Sequence, residues 1–236
     1  MDAGTPVRVH AVHDAAGARR VVAVIETIWA GGAGIDANTI VALAHSGNYV
    51  VIAEHDGADV GAGLGFFGPP GNATLHSHIV GATERGAGRV IKHHQRAWCA
   101  ERGVGSITWT FDPLVARNAW FNLSVLGARP VEYLVDHYGE MRDEINAGQP
   151  SDRILLTWPV APAPDPPAPP DPELVIEIPA DIEALRRTDP DAARAWRLRT
   201  RERFVAAFAA GLSATGFVRP AGGRGGAYTF AHQESR

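Results

Sequence analysis

The sequence has a single cysteine, Cys99, among its 236 residues, which excludes an internal disulfide and any metal site built from several thiolates. Lysine is equally scarce: Lys92 stands alone against 21 arginines. With abundant alanine, glycine and proline, that bias reads as GC-rich codon usage and not as a ligand signal. Long apolar runs are also missing. The best stretch, residues 21–29, is interrupted by Glu26 and falls short of the roughly 18–20 residues a membrane span needs. No excess of positive charge exists either: 22 Lys+Arg face 26 Asp+Glu, a net charge of −4, which argues against binding nucleic acid through bulk charge. Residues 1–10 lack the charged-then-apolar pattern of a secretory signal. What is present, 45% hydrophobic and 20% charged residues, is an ordinary globular composition, long enough to bury a sizeable core. A soluble, cytoplasmic protein with no nucleic-acid or membrane partner is expected.

The clearest boundary is residues 159–172, PVAPAPDPPAPPDP, with eight prolines in fourteen residues. Prolines remove amide donors and fix φ near −65°, so neither helix nor central strand forms there and a semi-rigid polyproline spacer is expected. It divides a domain over 1–158 from a small C-terminal domain over 173–236. In the first domain, alternation predicts strands at 7–12, 49–53, 60–67, 75–80, 106–111, 129–135 and 154–158. Apolar spacing of three and four predicts helices at 15–29, after an N-cap at Asp36, at 88–101 and at 118–126. The order β-α-α-β-β-β-α-β-α-β-β gives an α/β (α+β) fold, a mixed sheet flanked by helices. The C-terminal piece reads as strand 174–178, a helix with Ala193, Trp196, Thr200, Phe204 and Phe208 facing inward, and short strands around 217–218 and 228–230. The glycines of 221–226 read as a hairpin tip. A cap or a homodimerisation appendage is the expected role of this α/β piece.

The segment that carries chemistry is LHSHIVGATERGAGRVIKHHQRAWCAE, residues 75–101. A strand leads through the glycine turn 85–88 into a helix, so backbone N–H groups and the positive helix end converge on one concavity, suited to an anion such as a pyrophosphate. Arg85 and Arg89, with Lys92 further along, can add positive charge. Neither a P-loop nor a G-x-G-x-x-G fingerprint at the first strand-to-helix turn is present. His76 and His78, two apart on a strand, face one side. As a pair of metal ligands they would need His93 and His94, which are adjacent on a helix and point about 100° apart.

Arg85-Gly86-Ala87-Gly88-Arg89-Val90, at the junction of a fourth strand and a third helix, resembles the Q/R-x-x-G-x-G/A signature of the GNAT superfamily of acyl-CoA-dependent N-acyltransferases. Val90 stands where the last small residue is usual. The element order over residues 5–158 is similar to that superfamily's, and HSHIVG, ITWTFDP, ARNAWFNL, YGEM, PSDR and WRLRTR look like a branch of large GNAT proteins, some relatives of which N-succinylate amino acids. The resemblance implies a mostly antiparallel GNAT-like sheet and transfer of an acyl group, acetyl or succinyl, from acyl-CoA to a primary amine of a small-molecule acceptor, with no metal. It implies that Ile79 and Val80 pair their backbone with the pantetheine arm, that the amides of Gly86, Ala87, Gly88, Arg89 and Val90 hold the pyrophosphate, and that Asn118 touches the pantetheine or thiol end. On that footing His76 is the general base and His78 its partner or relay, since an imidazole with an ordinary pKa near 6.5 suits the task. Leu123 occupies the position where many relatives carry an acidic tyrosine, so Tyr133 or Tyr138 replaces it or no dedicated acid exists. Arg117 and Arg153 are candidates for a carboxylate, and Glu26 for the acceptor side. Two other readings are a non-catalytic CoA-binding module and a histidine-ligated metalloenzyme.

Overall fold

Local sequence signals start most of the elements where they are observed. Asp14 accepts the amide of Gly17 at 2.7 Å and opens α1 (Ala15–Trp29). Asp36 accepts from Asn38 and Thr39 and caps α2 (Ala37–His45), as expected for a side chain that satisfies the first free amides of a helix. The computed structural model describes residues 6–29, 34–69, 71–139, 149–161, 170–220 and 225–232. The chain contacts divide into two units: residues 1–108 with 159–161, and residues 109–158 with 162–236. The division falls within the domain expected over 1–158. Of the proline-rich segment, 162–169 lies outside the described residues, as does 221–224 of the glycine tip.

In the first unit, β1 (Arg8–Ala11), β2 (Tyr49–His55), β3 (Ala58–Phe67) and β4 (Thr74–Ala82) pair antiparallel in that order. Asp56 and Gly57, both with positive φ (49° and 77°), make the tight hairpin between β2 and β3. The start of β5 (Ser106–Phe111) runs parallel to β4 from Thr74↔Ser106 to His76↔Thr108. Helices α1 and α2 cover one face, burying Val21, Ile25 and Ile40 with Ile52 and Leu64. Helix α3 (Ala87–Ala100) packs on the other face, where alternate residues of β3 are glycines. A Cβ on Gly61 or Gly63 would come within 2.8 or 2.9 Å of Ile91, and one on Gly65 within 3.3 Å of Gln95. The segment 159–161 completes this unit: Val160 donates to Gly105 at 3.0 Å, and Arg96 donates to the carbonyls of Val160 and Ala161.

The second unit holds the end of β5, then β7 (Arg153–Pro159) and β6 (Arg129–Leu134), which pair antiparallel. It also holds α4 (Ala116–Ala119), which continues as a π-helical segment, Trp120–Val125. The widened turn is visible in the Leu126 amide, which reaches the Phe121 carbonyl five residues back at 2.9 Å. A three-stranded antiparallel sheet in the order β8 (Leu174–Ile178), β10 (Gly226–His232), β9 (Leu212–Val218) packs with α5 (Ile182–Thr188) and α6 (Pro190–Ala209). Phe204 anchors it, with ring centroids of Tyr133, Tyr228 and Phe230 4.9–5.2 Å away.

Two sequence expectations need correction here. Helix α5 has no counterpart in the pattern reading, because seven residues carry too few apolar positions to show a period. In α6 the inward residue is Arg197, 1% exposed, and not Trp196, whose ring lies under Arg199 instead. Arg197 is drawn in by Asp112, to which it donates at 2.7 Å beside a second, buried arginine, Arg186.

Candidate functional site

Strand β4 carries the two histidines, and its register explains their placement. Leu64 pairs with Ile79, but the next residue, Gly65, pairs with Ser77, so His78 is the extra residue of a β-bulge. Ser77 turns toward α3 and is buried. His76 and His78 share the opposite side: their ring centroids are 6.1 Å apart, and each lies against Phe66, at 5.2 and 5.6 Å. His78 keeps an exposed face, yet desolvation by the protein around its ring lowers the imidazole pKa, which favours the neutral ring that can accept a proton.

Pairing between β4 and β5 ends at His76↔Thr108. From Ser77 to Ala82 the β4 edge away from β3 has no strand partner among the described residues. Ile79 is buried at 7% exposure and Val80 half-buried, so their side chains are engaged while their backbone lies along that open edge. An extended ligand arm can add to such an edge as a strand would.

After β4, Glu84 and Arg85 lead into Gly86, whose φ of 95° favours a glycine. Glu84 is held by His55 at 2.8 Å. The amide of Ala87 donates to Glu84, and those of Arg89 and Val90 donate to Gly86. The amides of Gly86 and Gly88 have no partner among the described residues, leaving them as donors for an anion. Arg85, Arg89 and Val90 are exposed around them, and Arg89 Nε approaches His93 Nε2 at 3.4 Å.

Lys92 does not join this rim. It is buried at 4% exposure, and its Nζ donates to Ser77 Oγ at 2.9 Å and to Gln95 Oε1 at 3.4 Å. Burial pushes its pKa down to about 7. Sequence reasoning missed this Ser77–Lys92–Gln95 contact under the bulge. Its one signal was the singularity of the lysine.

His93 and His94 do not gather with the strand histidines. His94 Nδ1 is 3.0 Å from the Tyr49 hydroxyl, on the α3 side of the sheet. No group of three or more His, Cys, Asp or Glu that could hold a metal stands together among the described residues.

The remaining candidates lie in the second unit. Asn118 is half-buried in α4, and its amide donates to the Val115 carbonyl at 3.0 Å. Leu123 is buried in the π segment. Tyr133 is committed: its hydroxyl donates to Asp152 at 2.8 Å, and burial with that carboxylate raises its pKa. Tyr138 is 44% exposed, with its hydroxyl 2.9 Å from Thr110 Oγ1. Arg117 is paired through both terminal nitrogens with Glu183. Arg153 is buried, donates to the Asp152 carbonyl at 2.9 Å and lies over the Tyr138 ring. Glu26 is exposed on α1 in the first unit.

No family model and no curated protein matches the chain by sequence. Solved structures do match. The ribosomal-protein-S18-alanine N-acetyltransferase of Escherichia coli superimposes with a TM-score of 0.54 at 11% identity, over 68% of this chain and 97% of its own. An N-acetyltransferase of Staphylococcus aureus Mu50 gives 0.55 at 8% identity, over 66% and 100%. The yncA protein of Salmonella typhimurium, solved with its cofactor acetyl-CoA, gives 0.54 at 14% identity, over 70% and 99%. At such identities the likeness is one of fold. The chain has the GNAT N-acetyltransferase fold, a mixed and mostly antiparallel sheet flanked by helices.

Proposed function

We propose that the protein is an acyltransferase that moves an acetyl or succinyl group from acyl-CoA to a primary amine, such as that of an amino acid. One observation carries the reading. His76 and His78 lie on the same side of β4, and the open edge of that strand runs directly into the Arg85–Gly88 turn, where the amides of Gly86 and Gly88 have no partner among the described residues. Backbone groups of Ile79 and Val80 on that edge fit a pantetheine arm. The amides of Gly86 and Gly88, within the Gly86–Val90 turn and beside Arg85 and Arg89, fit a pyrophosphate. Asn118 is proposed to meet the thiol end of the pantetheine.

Bound acyl-CoA supplies an activated carbonyl and a thiolate leaving group. The chain's own part is proton management. His76 takes a proton from the acceptor's ammonium so that the free amine attacks, and His78, whose neutral form desolvation favours, passes the proton on. Of the two tyrosines offered as acid, Tyr138 is exposed, while Tyr133 is committed to Asp152. The fold's likeness to acetyltransferases supports this reading, as does the structure solved with acetyl-CoA.

A second reading, CoA binding without turnover, draws on Leu123, an apolar and buried residue where many GNAT proteins carry the acid. One experiment separates the two. Thermal unfolding is followed with CoA, acetyl-CoA, succinyl-CoA and divalent metals in parallel. Thiol release from the thioesters is then assayed against a set of amines. A ligand at about 100 times its Kd adds roughly 2.7 kcal/mol of stability, a shift of several degrees. Stabilisation by a thioester with amine-dependent thiol release is the expected result. Stabilisation without release supports the binding module. A shift with metal alone overturns both.

A further inference from the structure

The second unit contains a cavity of about 150 Å³, open to solvent on one side and well above the space a single water needs, so a small organic molecule fits it. Its walls include Ala116, Arg117, Asp181, Glu183, Arg219 and Gly225. The charges on those walls are not equivalent. Arg117 and Glu183 neutralise each other through a two-point pair. Asp181 uses Oδ1 to accept the Ala184 amide at 2.9 Å as the cap of α5, and Oδ2 accepts nothing among the described residues. Arg219 has no carboxylate partner among the described residues: its Nε is enclosed with no hydrogen-bond partner, and its guanidinium lies over the Trp120 ring, 5.2 Å from the centroid.

An enclosed Nε without an acceptor is costly, and the terminal nitrogens of the half-buried guanidinium offer a fork of donors that suits a carboxylate. A simple anion fits poorly, however, because Asp181 stands in the same wall. A molecule that answers both charges carries a carboxylate for Arg219 and an ammonium for Asp181. We propose that this cavity binds a small amino acid, of the size of glycine or alanine. The proposal concerns binding to the second unit and stands whether or not acyl transfer occurs.

The test is calorimetric titration of the full chain, with no acyl donor present, using glycine, L-alanine and β-alanine. L-alaninamide lacks the carboxylate, propionate lacks the ammonium, and inorganic phosphate represents the other common oxyanion. At least one amino acid is expected to bind, with alaninamide, propionate and phosphate each weaker by about tenfold or more, as loss of a charged hydrogen bond implies. Arg219→Gln is expected to weaken the amino acid by a similar factor. Asp181→Asn, which keeps a capping side chain and so keeps α5, is expected to do the same. The proposal is overturned if none of the three amino acids binds, if propionate or phosphate binds as tightly as the amino acid, or if Arg219→Gln leaves the affinity unchanged.

Discussion

At the scale of single residues, desolvation lowers the pKa of both His78 and the lysine beneath it. For His76→Ala, a fall in kcat of about 10²-fold or more is expected, with CoA affinity little changed; equal turnover in the variant removes His76 as base. Because desolvation lowers the His78 pKa, the acid limb of kcat/KM is expected below the ordinary histidine value of ~6.5. A limb at or above that value contradicts a relay held neutral by desolvation. Lys92 acts on stability. Its folded pKa, about 7, is depressed from 10.5. Between those values the unfolded chain holds a proton that the folded chain does not, so stability rises with pH there and falls as pH drops toward 7. Cys99, pushed up to about 12 from 9.0 by burial, works in the opposite direction only above pH 9.0. Denaturant unfolding between about pH 7 and about pH 9 is therefore expected to show a rise approaching 1.4 kcal/mol per pH unit, absent in Lys92→Met. The sequence made the histidine pair legible, since H-x-H on a strand needs only alternation. It misdirected Lys92 to the phosphate rim, because helical spacing alone does not say which face a sheet will cover.

At the scale of elements, β3 and the turn before α3 are controlled by the same property, the absence of a side chain, with different consequences. The Gly61, Gly63 and Gly65 ladder lets α3 lie close to the sheet. A Cβ on Gly63 would meet Ile91 at 2.9 Å, Val51 at 3.0 Å and Tyr49 at 3.2 Å. Gly63→Val is expected to lose about 1–3 kcal/mol by overpacking, read as a lower denaturation midpoint; an unchanged midpoint contradicts the packing described. Gly88 differs. A Cβ there meets only Ala82, at 4.0 Å, so Gly88→Glu leaves the fold intact while adding bulk and negative charge beside the unbonded amides. CoA affinity is expected to fall at least tenfold with thermal stability preserved. Retained affinity removes this turn as the anion site. Capped helices and alternating strands were legible residue by residue: the Asp36 cap and the 106–111 alternation stand as read. The β4 bulge and the π segment were not, because both break the periods of 2 and 3.6 on which such reading depends.

At the scale of the molecule, the two units bury charge by different means. The first buries one amine on neutral partners, Ser77 and Gln95. The second buries Asp112 against Arg186 and Arg197. Burial alone would raise the Asp112 pKa, but Arg197, then Arg186 and Arg153, hold it well below the usual carboxylate range. A depressed carboxylate stabilises the fold above its unfolded pKa of about 3.9, and that stability is lost as pH falls through the lower folded value. Asp112→Asn is expected to cost about 3–5 kcal/mol, since it leaves buried guanidinium groups without their counter-charge. Near-wild-type stability of that variant contradicts the cluster as described. Composition alone could not find this cluster, because an arginine at a helical core position reads as a solvent-facing one.

The return of residues 159–161 to the first unit, where Val160 and Ala161 hold Arg96 and Gly105, bears on how the chain is made. A nascent polypeptide emerging from the ribosome presents residues 1–108 first, yet the piece that closes this unit follows only after the whole of 109–158. At about 5–20 residues per second, synthesis leaves the earlier segment incomplete for a period on the order of seconds. During that interval the Gly105 carbonyl lacks the Val160 amide and Arg96 lacks two of its acceptors, and residues 159–161 act as the clasp that ends the wait.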